Sequence, residues 1–507
     1  MIFRNTVANF LGQIIHPIIS ILLVPFYIHY LGLEGYGLVG FFSALTVLLG
    51  IFTKGLGSAL QREFARRDGD PSLRVTMPNL LKTFEIVYWA IGGVLGAGLV
   101  LFSGFISVAW LRVEMISPET VRTCLLLISL TIAASFPNSV YQAIFVGTQK
   151  QVLGNILNST SALLQAVLSV VVIWIWKSII GYYVVGLCTA ILLMLTMRLF
   201  AYRTARSTMV ERAIAFDWDE LKSLWKISFE LILTNGAGLI LAQTDRLVIS
   251  YLLPVSSLGT YNVGVAGGRL LDSFYAPFLT AVYPRTCQMT QSGDSKSVGD
   301  LIARNIKVML LICLTIGLPL SFFAPEVLSV WTNNSEVVTK GAPVLSVYVF
   351  GYIFLSLSSV LYQVLIARGQ VNYGVWFNSL ALVWYPCLMW ILVGAQGIVG
   401  AAWTWLLYCA GGLVYQSFIL SIKERILVGS LLRTLSFATV LSFVENIGIS
   451  FAFRWSANYF FPNLLWGRVL WALLNALVVA LMCYIQHFRG IRPRDIFDLG
   501  RVTGNIR

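Results

Sequence analysis

Few side chains in this sequence could do chemistry, and most of them are set inside long apolar stretches. Asn5, Asn9, Gln13, His16 and Ser20 recur at spacings of four, four, three and four, which puts them on one face of a helix. Pro17 removes the helical bond to the Gln13 carbonyl and leaves an acceptor on the same stripe. Farther along, Asn262, Arg269, Asp272 and Ser273 share a face, and Pro277 frees the Ser273 carbonyl. The stretch before it holds Glu230, Asp245 and Arg246. A guanidinium offers fixed, bidentate hydrogen bonds to phosphate or carboxylate oxygens and stays charged in a low dielectric. Arg246 and Arg269 are therefore candidates for holding an anion, with Asn9 and Gln13 as polar contacts. His16, Asp245 and Asp272 are candidates for ion coupling, because a histidine near its ordinary pKa of ~6.5 exchanges protons in the physiological range. Two other readings stay open: Asp245 pairs with Arg269 on the next helix, or Arg269 pairs with Asp272 at i+3, giving a neutral structural network. Glu445 is expected to face a neighbouring helix and carries no role.

Nothing points to covalent chemistry. The three histidines, His16, His29 and His487, lie far apart, and the seven cysteines show no CxxC spacing, so no metal site is expected. Gly92, Gly93, Gly96 and Gly98 imitate a phosphate loop, but they fall inside an apolar stretch with no preceding strand, where close helix packing is the better account.

The elements that must position these residues are membrane helices. With 58% hydrophobic and 11% charged residues, and a mean hydropathy of +0.80, the chain has too little polar surface for a soluble globule, and helices satisfy the backbone in lipid. Spans of ~20 apolar residues are expected at 7–29, 37–53, 83–111, 123–146, 152–176, 180–202, 223–252, 259–284, 303–323, 341–367, 371–393, 396–420, 432–453 and 465–487. The fold class is all-α, a polytopic membrane protein of about 14 transmembrane helices. A charge at mid-bilayer costs at least ~2.5–3.5 kcal/mol. Counted from the span ends, Arg246 and Arg269 lie roughly 10–14 Å below the outer surface, too deep for incidental placement.

Charge in the loops orients the map. Of the 35 Lys and Arg, 27 fall on the side of the N-terminus and six, Arg112, Arg122, Lys177, Lys340, Arg454 and Arg468, on the other. The positive-inside rule then makes both termini cytoplasmic. The same bias accounts for the net charge of +13 through anionic lipid, with no nucleic acid partner. Trp110, Trp174, Trp176, Trp331 and Trp466 at outer ends, and Trp218 and Trp225 at an inner end, suit an aromatic belt. The N-terminal stretch is too long for a signal-peptide core and is kept as the first span.

An internal duplication is visible at an offset of about 222 residues. Tyr141-Gln142-Ala-Ile-Phe-Val-Gly-Thr-Gln149 recurs as Tyr362-Gln363-Val-Leu-Ile-Ala-Arg-Gly-Gln370, and Leu33-Glu-Gly35-Tyr36-Gly37 resembles Leu258-Gly259-Thr-Tyr261-Asn262. Six crossings per copy give both copies one orientation, so two six-helix lobes in parallel repeat around a central cavity are expected. These are residues 1–205 and 206–422, with 423–507 adding two spans and a cytoplasmic tail.

The segments Pro25 through Gly37, Gly55-Leu-Gly57-Ser-Ala-Leu-Gln-Arg62 through Arg66, Tyr141 through Asn155, and Thr244-Asp245-Arg246-Leu-Val-Ile-Ser followed by Leu258-Gly259-Thr-Tyr261 resemble the polysaccharide-transport branch of the multidrug/oligosaccharidyl-lipid/polysaccharide superfamily. Lys54 departs from the polar or acidic residue expected before its Gly-Leu-Gly. The resemblance implies an O-antigen-type flippase, not an enzyme, in the bacterial inner (cytoplasmic) membrane. It would move an undecaprenyl-diphosphate-linked oligosaccharide to the periplasmic leaflet by alternating access. It would use no cofactor beyond a proton or sodium gradient, and would work beside a polysaccharide polymerase and glycosyltransferases. In that setting the anion for Arg246 and Arg269 is the diphosphate. Peptidoglycan-precursor flipping and cation-coupled multidrug export are the alternatives.

Overall fold

The computed structural model describes residues 2–205, 216–291, 295–424, 437–462 and 464–488. Among them the fold is helical throughout, and the extended pairing is confined to one isolated bridge between Arg112 and Pro254. Every expected span falls on helical chain, although the first five of the thirteenth (432–436) lie outside the described residues. Ten helices are long and apolar enough to cross a membrane among the described residues. The chain divides into two compact units, residues 1–259 and 260–507.

In the first unit, α1 (Ile2–Leu49) runs through the first two expected spans. The loop expected between them is reduced to one non-helical residue, Gly32, at φ 73 and ψ 174, a conformation that only glycine adopts cheaply. After a turn at Gly50, α2 (Ile51–Asp68) carries the chain beyond the apolar stretch and ends on Arg66 and Arg67, cations that suit a helix C-terminus. A short α3 (Pro71–Arg74) starts on Asp70, whose carboxylate accepts from Ser72 N at 2.9 Å, as an N-cap should. Next comes α4 (Met77–Phe105), closed by a π turn at Ile106–Trp110. The fourth expected span is split into α5 (Pro118–Ser135) and α6 (Asn138–Gly147), because Pro137 interrupts it. α7 (Gln151–Trp176), α8 (Ile179–Ala205) and α9 (Trp218–Leu252) complete the unit's long helices. α9 is capped by Asp217, which accepts from Asp219 N at 2.9 Å, and packs along α2 and α1.

One crossing in this unit is unusually close. A Cβ placed on Gly37 would sit 2.1 Å from the Val255 carbonyl oxygen, and one on Gly259 would sit 2.1 Å from that of Leu33. The two copies of the repeated segment therefore touch each other backbone to backbone, and any side chain at either glycine would separate them.

α10 (Val255–Gln291) leads into the second unit, followed by α11 (Ser295–Phe322), α12 (Ala324–Thr332), α13 (Ala342–Ala367), α14 (Asn372–Gln396) and α15 (Ile398–Glu424). α13 is its central helix, packed against both α11 and α15. α16 (Phe437–Phe460) and α17 (Leu465–Phe488) pair with each other and lie against α11. Both repeat copies end alike: Lys150 N bonds Phe145 O at 2.7 Å after α6, and Gln370 N bonds Leu365 O at 2.8 Å after α13. This six-to-one bond satisfies a carbonyl that the helix end would otherwise orphan.

Candidate functional site

The expected site residues fall on three helices. Asn9, Gln13 and His16 lie on α1, with side chains outside the described residues, as is that of Glu230 on α9. Asp245 and Arg246 lie on α9 in the first unit, Arg269 and Asp272 on α10 in the second.

On α9 the pair is buried, Asp245 at 5% and Arg246 at 8% exposure. The Arg246 guanidinium donates to Gln243 Oε1, one turn earlier, and its backbone N–H donates to Asp245 Oδ1 at 2.8 Å. One turn later Ser250 Oγ accepts from the Trp110 indole at 3.0 Å, joining α9 to the π turn after α4. Arg246 is thus built into a polar seam in an apolar unit, the usual way in which a buried charge is tolerated.

On α10 the setting differs. Arg269 is exposed and Asp272 half-buried. The Tyr352 hydroxyl of α13 is hydrogen-bonded to Arg269, and the Tyr275 hydroxyl to Asp272. Lower on α10, which continues through Pro277 and Pro284, Gln363 of α13 donates to the Leu279 carbonyl at 2.9 Å. The repeated Gln142 plays another part, accepting from Asn158 at 3.3 Å.

Several charged clusters escape a reading of the sequence, because their partners are far apart in it. Glu85, 1% exposed, accepts from Tyr141 and Tyr202 at 2.6 Å each and pairs with Arg198 at 2.7 Å, joining α4, α6 and α8. Glu34, from the repeated segment, accepts from the backbone N–H groups of Glu114 and Met115 at 2.8 Å and orders the loop before α5. Arg67, 4% exposed, pairs with Glu63 at 2.8 Å and with Glu220 at 2.6 Å, tying α2 to the start of α9 beside a 490 Å³ cavity. Burial raises the Glu63 pKa, but hydrogen bonds from Arg66 and Arg67 outweigh it and hold the carboxyl below the usual range. In the second unit Glu326, 3% exposed, pairs with Arg454 at 2.6 Å and Arg468 at 3.2 Å, fastening α12 to α16 and α17. Glu445 does face a neighbouring helix, accepting from Gln486 at 2.7 Å. The one signal available in the sequence was an acid at the edge of an apolar stretch, just inside it at Glu85 and just beyond it at Glu326. Among the described residues no group of His, Cys, Asp and Glu could hold a metal ion.

Long apolar helices with a few ionisable groups buried among them define a multi-pass membrane protein, and comparison with solved structures gives its fold. A lipid II flippase in an inward closed conformation superposes with a TM-score of 0.71 at 15% identity, over 95% of this chain and 99% of that one. An inward-facing multidrug resistance transporter of the MOP superfamily gives a TM-score of 0.64 at 15% identity, over 83% and 96%. The chain belongs to the polysaccharide biosynthesis protein family, whose profile matches residues 2–290, while the MatE profile matches residues 227–391. A candidate O-antigen transporter of Shigella flexneri is 23% identical over 404 residues, 80% of this chain and 94% of its own.

Proposed function

We infer that the protein flips an undecaprenyl-diphosphate-linked oligosaccharide from the cytoplasmic to the periplasmic leaflet of a bacterial inner membrane by alternating access, with both termini cytoplasmic. The observation that carries this reading is Arg269, an exposed guanidinium on α10 set beside the Tyr352 hydroxyl of α13. A diphosphate supplies the paired anionic oxygens that such a group binds bidentately. Membership of the polysaccharide biosynthesis family supports the glycan part of the reading, and so does the likeness to a candidate O-antigen transporter. A small cationic drug would be repelled by the same arginine. His16, Asp245 and Asp272 are the groups through which a proton or sodium gradient would act, and a polysaccharide polymerase and glycosyltransferases would work alongside.

The test is reconstitution into liposomes carrying fluorescent undecaprenyl-diphosphate oligosaccharide, with leaflet position read by a membrane-impermeant quencher. Transfer of that lipid, faster than in protein-free liposomes, is expected. Transport of a cationic dye without the glycan lipid, or of the peptidoglycan precursor alone, would overturn the reading.

A further inference from the structure

The second unit holds a continuous run of aromatic rings that helix packing alone does not explain. It starts at Tyr352, the residue bonded to Arg269. The Tyr352 ring lies 5.8 Å from Trp405, Trp405 lies 5.9 Å from Tyr408, Tyr408 lies 5.4 Å from Phe377, and Phe377 lies 5.2 Å from Tyr415. Tyr348 stacks on Trp405 at 5.2 Å with an interplanar angle of 11°. The run crosses α13, α15 and α14 in turn.

Three features separate it from an ordinary core. First, Trp405, Tyr408, Phe377 and Tyr415 are half-buried, so each keeps ring surface open. They do not lie on the outward faces of their helices, which on α14 carry the exposed Trp376, Leu380 and Val383, and on α15 the exposed Trp403, Leu407 and Val414. Second, polar atoms alternate with the rings: the Tyr408 hydroxyl donates to Asn378 at 2.8 Å, and Ser358 donates to Gln416 at 2.8 Å. Third, the Trp405 indole lies directly over the α13 backbone at Gly351, where a Cβ would come within 2.6 Å of Nε1. Its buried N–H has no acceptor among the described residues. A buried donor is normally satisfied, so holding the ring against α13 in this position costs a hydrogen bond.

Half-buried rings with polar side chains set between them match a sugar ring, whose C–H edges seek the negative π face while its hydroxyls seek hydrogen bonds. An isoprenoid tail would use the rings and gain nothing from the polar side chains between them.

We propose that the rings from Tyr352 through Trp405 and Tyr408 to Phe377 form the subsite that holds the sugar residues of the lipid-linked glycan, extending away from the diphosphate at Arg269. This rests on the flippase reading and adds to it a separate place for the carbohydrate. The diphosphate and its first sugar sit at Arg269 and Tyr352, and each further sugar adds one ring contact.

The test compares two probes in the same liposomes, an undecaprenyl-diphosphate monosaccharide and an undecaprenyl-diphosphate oligosaccharide of at least three sugars. Trp405→Leu and Tyr408→Leu should each slow oligosaccharide transfer about tenfold while leaving the monosaccharide within about twofold of wild type. Trp405→Phe, which keeps a ring, should recover most of the loss. Rates are normalised to inserted protein. Equal losses for both probes would assign the rings to structure and overturn the proposal, as would equal rates for wild type and both Leu variants. If the Leu variants fail to insert, the comparison rests on Trp405→Phe and Tyr408→Phe. With a sugar subsite those slow the oligosaccharide selectively by about twofold or more, and no selectivity in them rejects it. Failure of wild type with both probes would instead sink the flippase reading itself.

Discussion

Arg246 and Arg269 are the two cations set well inside apolar helices, and their surroundings are opposite. Arg246 is 8% exposed and committed to Gln243 on its own helix, next to a carboxylate one residue away. Arg269 is exposed, with the Tyr352 hydroxyl of α13 bonded to it. The first unit shows the Arg246 pattern repeatedly, in Glu85, Arg67 and Glu34, each buried with its hydrogen bonds made inside the fold. Buried charges of that kind hold a structure in one arrangement. A guanidinium with open surface can instead exchange water for an anion. The comparison teaches that depth in the membrane does not by itself mark a ligand; the surface the side chain keeps open does.

The largest effect should come from Arg269. Arg269→Glu is expected to lower glycan transfer about a hundredfold or more at unchanged inserted protein, since a like charge then repels the diphosphate in a poorly screened site. Activity should fall in the order Arg, Lys, Ala, Glu, because lysine keeps the charge and loses the planar fork. Normal delivery by Arg269→Glu would remove the arginine from any account of the headgroup.

Arg246→Ala should behave differently and so sharpen the contrast. It removes the donor to Gln243 in a buried seam, at about 1–3 kcal/mol for a lost charged hydrogen bond. The expected result is reduced accumulation of inserted protein, with transfer per molecule within about tenfold of wild type. Replacing Gln243 together with Arg246 by leucine should restore accumulation, because removing both partners leaves no orphan. Loss of transfer with normal accumulation would place Arg246 at the headgroup too. A pH profile of transfer that is unaltered in His16→Gln and Asp245→Asn would remove those two from ion coupling.

A third, smaller effect is expected at Glu85. Its carboxylate closes a network rather than facing an open surface, so Glu85→Gln should lower thermal stability in detergent by several degrees, on the order of 1–2 kcal/mol. Transfer per inserted molecule should stay within about twofold. A larger drop in transfer would mean that the closed networks also serve transport.

The helices were legible from apolar length alone, and among the described residues the expected spans fall on helical chain, the second crossing the turn at Gly50 and the fourth divided at Pro137. Span ends were less so, because the apolar pattern cannot show that α2 continues to Asp68 or that Pro137 divides a span into α5 and α6. The ionisable residues of α9 and α10 could be picked out as rare in lipid. Their difference in exposure could not, since it depends on Gln243 within one helix and on Tyr352, 83 positions beyond Arg269. Glu85 with Tyr202 and Arg67 with Glu220 were hidden for the same reason, their partners lying 117 and 153 residues away. The repeat aligned Leu33 through Gly37 with Leu258 through Asn262, while the backbone contact between the copies became visible only in three dimensions.

The smallest expected effect concerns the closed networks at the end of α2, where acid should loosen what neutral pH holds. Glu63 has its pKa lowered in the folded protein: burial works against the charged form, and the Arg66 and Arg67 guanidinia more than offset it. In an unfolded chain the same carboxyl titrates near ~4.3. A group depressed on folding contributes stability that is fully present above its unfolded pKa and is lost as pH falls through the folded one. Stability should therefore be flat through the neutral range and fall on the acid side of the ordinary carboxylate window. Glu63→Gln should flatten that acid limb measurably while leaving the neutral melting temperature within a few degrees, because the pair is partly exposed and screened. Arg269→Ala, which lies in none of these networks, should keep the wild-type acid limb. If instead Arg269→Ala changed the acid limb as Glu63→Gln does, the two arginine environments would not be independent, and the division between closed networks and an open binding group would fail.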